Sequence, residues 1–352
     1  MLRPAIRLLA ISLCVAGTVY AEAPRPAPKT PTPTPKVKVD PLAGTKLLTP
    51  IQVDSLTLTP IIADPSAAAP AATAKGTGDV LVLDEAMASK KVRIKEIESE
   101  SVNNLTFINK SEQPVFILAG EVIIGGKQDR IIGKNTIIPA NTTQTVPVFC
   151  VEHGRWDNSS KEFTTAKALA HGRLRGQASF AAQSEVWNEV AAKNERRKTK
   201  NSTDTYRQVA QQQSDGSLKT WQKKVDDALA KLPTADRAKM IGYVVALNGK
   251  VATVDMFQSP ALFKKLEPKL VKSYVTEAVD IVTAKDIKPT TQKQVVDFID
   301  DAESAGEEED YATSTAKSYR KNGKTTGKSA VKMSIDADSP AAPSVYKNYQ
   351  AK

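Results

Sequence analysis

The sequence predicts an α+β fold, in which a β-rich half at about residues 50–156 packs with helices and a β-hairpin from the half that follows. Two observations predict this class. Short β-branched segments separated by turn residues fill the first half, and apolar residues recur at helical spacing in the second. Because strands and helices do not alternate along the chain, as they would in βαβ units, a Rossmann-type sheet is not expected.

Six segments of the first half have the residues typical of strands. They begin at Leu56, Val80, Val92, Leu105, Val115 and Thr145. Turn residues such as Asn103-Asn104 and Lys110-Ser111 separate them. The Ala-rich stretch Ser66–Thr77 is expected to be a surface loop.

The second half has one strongly amphipathic segment, whose apolar residues recur at intervals of three and four and therefore share one helix face. These residues are Leu218, Trp221, Val225, Leu229 and Leu232. Farther along, Asn248-Gly249 lies between two apolar runs and favours a type I′ hairpin turn. Ser259-Pro260 is typical of a helix start, and Pro268 is expected to break or kink the helix that follows.

The two ends of the chain are expected to lie outside the fold. Residues 1–21 have two arginines, a twelve-residue apolar run and small residues before a cleavage position after Ala21, a pattern typical of a signal peptide. Residues 22–49 are expected to form a Pro-rich, disordered linker. A single α+β domain then spans 50–283, and 284–352 is expected to be partly helical and then a disordered, polar tail. The sequence therefore predicts an exported protein, periplasmic or extracellular.

Composition excludes several classes of function. The chain has 352 residues and a net charge of +10, which falls to +8 when cleavage removes two arginines and no acidic residue. Aromatic residues make up only 5%, so nucleic acid is not an expected partner. With two His and two Cys in the whole chain, no metal site or cofactor is expected. No integral membrane segment is expected after cleavage, and Cys150 is then left without a partner for a disulfide.

The first cluster of unusual residues runs from Gly120 to Arg130. Its Gly-Gly-Lys sequence does not satisfy the phosphate-loop pattern, and the glycine pair is expected to make a tight turn between strands. Glu121 lies within an otherwise apolar run, so it must face solvent or find a partner. Two alternatives stay open: an internal ion pair of Glu121 with Lys127 or Arg130 that closes a hairpin, and a carboxylate held by a cation in a pocket.

The second cluster runs from Cys150 to Trp156, directly after a strand. Cys150 and His153 are about 10 Å apart in an extended chain and face opposite sides, which argues against a nucleophile–base pair. Alternation with Val146 and Val148 predicts a buried thiol of raised pKa. Glu152 should follow on the same face and emerge into solvent. Glu152 with His153 is then a candidate acid–base pair, Arg155 an anion clamp and Trp156 a pocket wall.

Several motifs resemble the ARG and rhodanese-phosphatase-superfamily-associated protein domain, in which ARG denotes ADP-ribosylglycohydrolase. The motifs are Leu118–Glu121, Gly125–Arg130, Ile138-Pro139 and Val146–Trp156. The resemblance implies a link to ADP-ribose or nucleotide chemistry, by association with neighbouring enzymes. The positions that match the family's motifs are Glu121, Lys127, Gln128, Arg130, Cys150, Glu152, Gly154, Arg155 and Trp156. Asp129 and His153 depart from them, because the family pattern has Asn and often Gln there.

Two functions follow from these residues. The first is a binding or accessory domain for a small polar or anionic ligand. The residues expected to bind that ligand are Lys127, Gln128, Arg130, Arg155 and Trp156. The alternative is a hydrolase of a phosphate- or ribose-containing substrate, with Glu121, Glu152 and His153 as acid–base groups and Arg130 or Arg155 stabilising charge. The alternative requires Glu121 and Glu152 to face one cleft.

Overall fold

A computed structural model describes residues 40–64, 66, 80–97, 102–156, 160–212, 216–333 and 344–352. The predicted signal peptide, most of the predicted linker and nearly all of the predicted Ala-rich loop therefore lie outside the described residues. The strands, in chain order, are β1 Thr45–Leu47, β2 Ile51–Val53, β3 Leu56–Ala63, β4 Leu81–Val82, β5 Val92–Glu96, β6 Asn104–Asn109, β7 Val115–Ile117, β8 Glu121–Gly125, β9 Arg130–Ile132, β10 Thr136–Ile138, β11 Thr142–Cys150, β12 Glu162–Leu169, β13 Met240–Leu247, β14 Lys250–Phe257, β15 Glu307–Ala312, β16 Ala316–Asn322, β17 Thr326–Met333 and β18 Ser344–Ala351. The helices are α1 Leu83–Ala88, α2 Gly172–Phe180, α3 Gln183–Arg197, α4 Arg207–Ala210, α5 Ser217–Leu229, α6 Thr234–Arg237, α7 Pro260–Ala278 and α8 Gln292–Glu303. The predicted α+β class is confirmed.

Six strands of the first half close into a barrel in the order β11-β6-β5-β12-β8-β9. Their apolar residues alternate with polar ones, as in β6, where every second residue is buried. The buried side chains fill the barrel together with residues of α1 and the neighbouring strands β7 and β10. The β8–β9 hairpin is part of this barrel, so its turn lies at one barrel end.

A nine-stranded sheet contains the order β1-β3-β13-β14-β18-β17-β16-β15, with β2 paired to β3. The predicted hairpin at Asn248-Gly249 is confirmed, since both residues have positive φ and connect β13 to β14. Helix α7 packs on the sheet through residues such as Leu266 and Leu270, whereas α8 contributes Ile299 to a separate apolar cluster with Val254. The sheet therefore has apolar contacts with helices through two distinct clusters.

Helix α7 runs through Pro268 without interruption, so of the expected break or kink the break is wrong. Leu266 and Leu270, on either side of the proline, are both buried against the sheet. The stabilisation from packing the apolar face on the sheet outweighs the loss of the one backbone hydrogen bond that Pro268 cannot donate.

The expected disordered tail over about 303–352 is also wrong for the residues that the structure describes there. Strands β15 to β18 occupy most of this segment, and β18 pairs with β14 in the interior of the nine-stranded sheet. The buried residues of these strands include the apolar Val331 and Tyr346 and also polar ones such as Lys328 and Asn348. Residues 40–49 likewise contribute more than a linker, because β1 pairs with β3 and Leu42 is buried.

In the part of the chain that the structure describes, no helix combines the length and the apolar character needed to cross a bilayer.

Candidate functional site

The two sequence clusters meet at one end of the barrel. Cys150, the last residue of β11, lies opposite Arg130, the first residue of β9, in antiparallel register. The turn before Arg130 and the loop after Cys150 therefore leave the barrel side by side. A third segment joins them, because the amides of His153 and Gly154 donate to the carbonyl of Thr203 at 3.0 and 2.9 Å.

The glycine pair after β8 makes a turn that other residues cannot follow. Gly125 and Gly126 both have positive φ, at 125° and 52°. A Cβ at Gly126 would lie 2.2 Å from the ring of Phe163 and 2.5 Å from Oε1 of Glu96. That Glu96 oxygen accepts a hydrogen bond from the backbone of Lys127 at 2.8 Å. Close packing and backbone strain thus account for both glycines, without a bound phosphate.

Asp129 is the centre of the charged network, and the sequence analysis did not select it. Its side chain is fully buried and accepts hydrogen bonds from Thr205 (2.7 Å) and twice from Arg207 (2.7 and 2.9 Å). Arg155 lies 3.3 Å from the same carboxylate. Two arginines balance the negative charge of this buried carboxylate. Asp129 departs from the motif residue expected there, and this departure was the signal in the sequence that could have identified it.

Glu152 and Arg155 connect the two loops. Oε2 of Glu152 accepts hydrogen bonds from the backbone of Asp129 and from Nε of Arg155, both at 2.9 Å. Arg155 also donates to the carbonyl oxygens of Gly126 (2.8 Å) and Gly125 (3.2 Å). Glu152 is only 2% exposed, so the expectation that it emerges into solvent is wrong. Glu152 and Arg155 therefore mainly fix the two loops to each other, and Glu152 is not accessible to a ligand.

Arg130 is a fully buried cation inside the barrel end. Its Nη1 contacts Oε1 of Gln128 at 3.5 Å, and its Nη2 lies 3.9 Å from Glu96. Its Nε and Nη2 have no hydrogen-bond partner, although an unpaired donor in such a place is costly. Gln128 is also buried, so neither side chain offers a surface to a ligand in this arrangement.

The exposed part of the site is formed by Lys127, His153 and Trp156. Trp156 is 55% exposed, and the Lys127 ammonium lies 5.1 Å from its ring centroid. The ring of His153 packs edge-on against Trp187 with a centroid separation of 4.7 Å. Of the five residues predicted to bind a ligand, Lys127, Trp156 and part of Arg155 thus reach solvent.

Glu121 lies in a separate ion pair. Its carboxylate is 2.6 Å from Nζ of Lys269 on α7, and the same ammonium is 2.7 Å from Asp84. The expectation that Lys127 or Arg130 returns to Glu121 is therefore wrong. Burial raises the pKa of Glu121, an effect that Lys269 partly offsets. Glu121 and Glu152 do not share a cleft.

The thiol of Cys150 is buried, and burial raises its pKa, as predicted. The side chain of Gln183 accepts from the Cys150 amide at 2.8 Å and donates to its carbonyl at 2.9 Å. This strand end is therefore fixed to the start of α3. Across the described ranges, no three His, Cys, Asp or Glu side chains are grouped so that they could hold a metal ion.

Comparison with known protein families matches residues 44–338 to the ARG and Rhodanese-Phosphatase-superfamily-associated Protein domain. The chain belongs to this family. The matched region includes the barrel and most of the nine-stranded sheet, so the family domain extends past the boundary at 283 that the sequence analysis set. Comparisons with curated proteins and with solved structures give no match. Within the family domain, the motif residues fall into two places: Glu121 at the start of β8, paired with Lys269 of α7, and the others at the barrel end.

Proposed function

We propose that this protein binds a small anionic ligand at the barrel end, on a surface formed by Lys127, His153, Arg155, Trp156 and Arg207, here called the rim surface. The observation that carries the proposal is the exposed Trp156 ring with the Lys127 ammonium 5.1 Å from its centroid. Trp is enriched at interfaces because its large apolar ring carries a polar N–H, and here it stands beside a network of charged side chains.

The network below the rim supports this proposal because it fixes the loops that carry the exposed residues. Arg155 bonds to both loop backbones, and Arg207 bonds to Asp129. Fixed side chains lose little conformational freedom on binding, which favours affinity. Arg155 and Arg207 remain 20% and 37% exposed. A ligand with a planar part could therefore stack on Trp156 while its anionic group lies near these cations.

Family membership suggests which probes to use. ADP-ribose and AMP combine a planar base with phosphate, and inorganic phosphate carries the anionic group alone. Calorimetric titration with these three probes should give binding of ADP-ribose or AMP with one site per chain. Phosphate alone should bind more weakly, because it cannot use the ring of Trp156.

Variants test the rim surface directly. Trp156→Ala and Lys127→Ala should each weaken binding about 10-fold, since a cation–π or stacking contact contributes on the order of 1 kcal/mol. Trp156→Phe should retain part of the affinity. Lys239→Ala is the matched control, because Lys239 is exposed and lies outside the site. If all three probes fail to bind, or if the Lys127 and Trp156 variants bind as tightly as the control, the proposal is wrong.

The hydrolase alternative has less support. Glu121 and Glu152 are buried in separate charged networks, with Lys269 and Arg155 respectively. An acid–base pair has to reach one substrate from two sides. The geometry therefore favours binding over hydrolysis at this site.

We also propose that the protein is exported and cleaved after Ala21. The basic start, the apolar run at 8–19 and the small residue before the cleavage position support this. Mass spectrometry of the protein recovered from its native cells should give a chain that begins at Glu22. A chain that retains Met1 and the apolar run would contradict export by this route.

A further inference from the structure

A second site is a cavity of about 480 Å³ beside helix α2, which shares no lining residue with the rim surface. Its walls come from α2, from residues of the neighbouring strands β13, β14 and β18, and from the end of α7. The volume is within the range of small-molecule sites. Apolar contact is available from Phe180, Val245 and Leu247, and the polar groups include Glu277 and Gln350.

Helix α2 faces this cavity with two glycines, Gly172 and Gly176. Residues four apart lie on the same helix face. A Cβ at Gly176 would be 3.2 Å from Cγ of Gln350. A Cβ at Gly172 would be 3.5 Å from Nε2 of Gln350 and 3.6 Å from Oε2 of Glu277. The glycines thus let the helix approach these two side chains closely, and both polar groups border the same part of the cavity.

The side chain of Gln350 in this wall has a buried oxygen that accepts no hydrogen bond. Its side chain is 6% exposed, and its Oε1 has no donor. A buried acceptor left without a donor costs about 1–3 kcal/mol. Such a group beside a cavity points to a ligand that supplies an N–H or O–H.

The carboxylate of Glu277 indicates that the ligand is positively charged. Its carboxylate accepts a hydrogen bond from the backbone of Arg173 at 2.9 Å, and the buried ammonium of Lys193 attracts it electrostatically without a direct ion pair among the residues described. The two cations of the lining are engaged elsewhere. Arg173 lies 3.9 Å from Glu189 and is 62% exposed, and the ammonium of Lys352 donates to the carbonyl of Gly323. A carboxylate with no cation in direct contact and an amide oxygen without a donor together favour a cation that carries several donors.

We propose that this cavity binds a small aliphatic amine, with an ammonium group held by Gln350 and Glu277 and the carbon chain against Phe180, Val245 and Leu247. An ammonium has three donors, so it can satisfy both acceptors at once. The proposal does not depend on binding at the rim surface.

The test uses putrescine as the probe and 1,4-butanediol as its neutral counterpart, titrated into the full chain by calorimetry at low ionic strength. Putrescine should bind with one site per chain, and butanediol should bind at least 10-fold more weakly. Glu277→Gln should weaken putrescine binding at least 10-fold while retaining an acceptor for the Arg173 amide. Glu195→Gln, an exposed acid on α3, is the matched control and should bind as the wild type does.

Gln350→Leu separates ligand recognition from structural support. It should abolish putrescine binding and leave the free energy of unfolding equal to or above that of the wild type, because it removes an unpaired buried acceptor. Lys127→Ala should leave putrescine binding unchanged. The proposal fails if putrescine does not bind, if butanediol binds equally well, or if Glu277→Gln binds putrescine as tightly as Glu195→Gln does.

Discussion

Glu303, the last residue of α8, offers the sharpest test of how the final strands are joined to the fold. Its carboxylate is 2.6 Å from Nζ of Lys328 and 2.8 Å from Nζ of Lys321, and it accepts a hydrogen bond from Tyr349 at 2.7 Å. Burial alone would raise the pKa of Glu303. The two ammonium groups and the hydrogen bonds outweigh burial and lower it to about 2. Replacement by Gln removes the charge and keeps a side chain of the same shape.

The size of the effect follows from this pKa. A fall from the ordinary value of 4.5 to about 2 corresponds to about 3 kcal/mol, at 1.36 kcal/mol for each pH unit. About a quarter of the side chain remains exposed, so solvent screening reduces this to about 2 kcal/mol. Because the folded pKa is lowered, the stabilisation is present above pH 4.5 and is lost as the pH falls toward 2. By pH 3, more than half of it is gone.

Urea unfolding at several pH values between 7 and 3 measures this effect. At pH 7, the free energy of unfolding of Glu303→Gln should be about 2 kcal/mol below that of the wild type. At pH 3, this difference in unfolding free energy should be less than half as large. Glu308→Gln, at an exposed acid of β15, is the control and should change little at either pH. A gap for Glu303→Gln that stays constant with pH would show that the ion pairs with Lys321 and Lys328 do not stabilise the fold.

Three further predictions concern single positions. Cys150→Ser should cost about 1–3 kcal/mol by burying a hydroxyl without a partner, and the native thiol should resist maleimide; rapid labelling would show that it is accessible. Gly126→Ala should lower stability by more than about 2 kcal/mol, since its Cβ would overlap Phe163 at a positive φ; a neutral result in thermal denaturation would contradict this geometry. Lys269→Met should cost about 3–5 kcal/mol at pH 7 by leaving the buried carboxyl of Glu121 without its cation. Because burial raises the pKa of Glu121, the loss should shrink as the pH falls through that raised pKa, and a loss independent of pH would refute the argument.

Local signals in the sequence predicted local features well. Asn248-Gly249 specifies a hairpin because few residues adopt positive φ at two successive positions, and the structure has it. The alternation through Val148 to Cys150 predicted a buried thiol, since side chains two apart in a strand share a face. In both cases the deciding interactions lie within a few residues.

Nonlocal pairs could not be predicted in this way. Lys269 is 148 residues from Glu121, and Arg207 is 78 residues from Asp129. No spacing or period in the sequence indicates which of the 49 Lys and Arg residues will meet a given acid. The same holds for the final strands, because they bury polar residues such as Lys328 and Asn348 that a sequence pattern assigns to solvent.

The position of β18 has a consequence for biosynthesis. This strand is made after β14 and β17, yet it lies between them and joins β14 to the β15–β17 meander. Until residues 344–352 leave the ribosome, β14 keeps one row of backbone amides and carbonyls unpaired, a state that invites pairing with other chains. The nine-stranded sheet therefore cannot be completed before β18 has been synthesised. Deleting β18 would break the sheet in its middle rather than trim its edge.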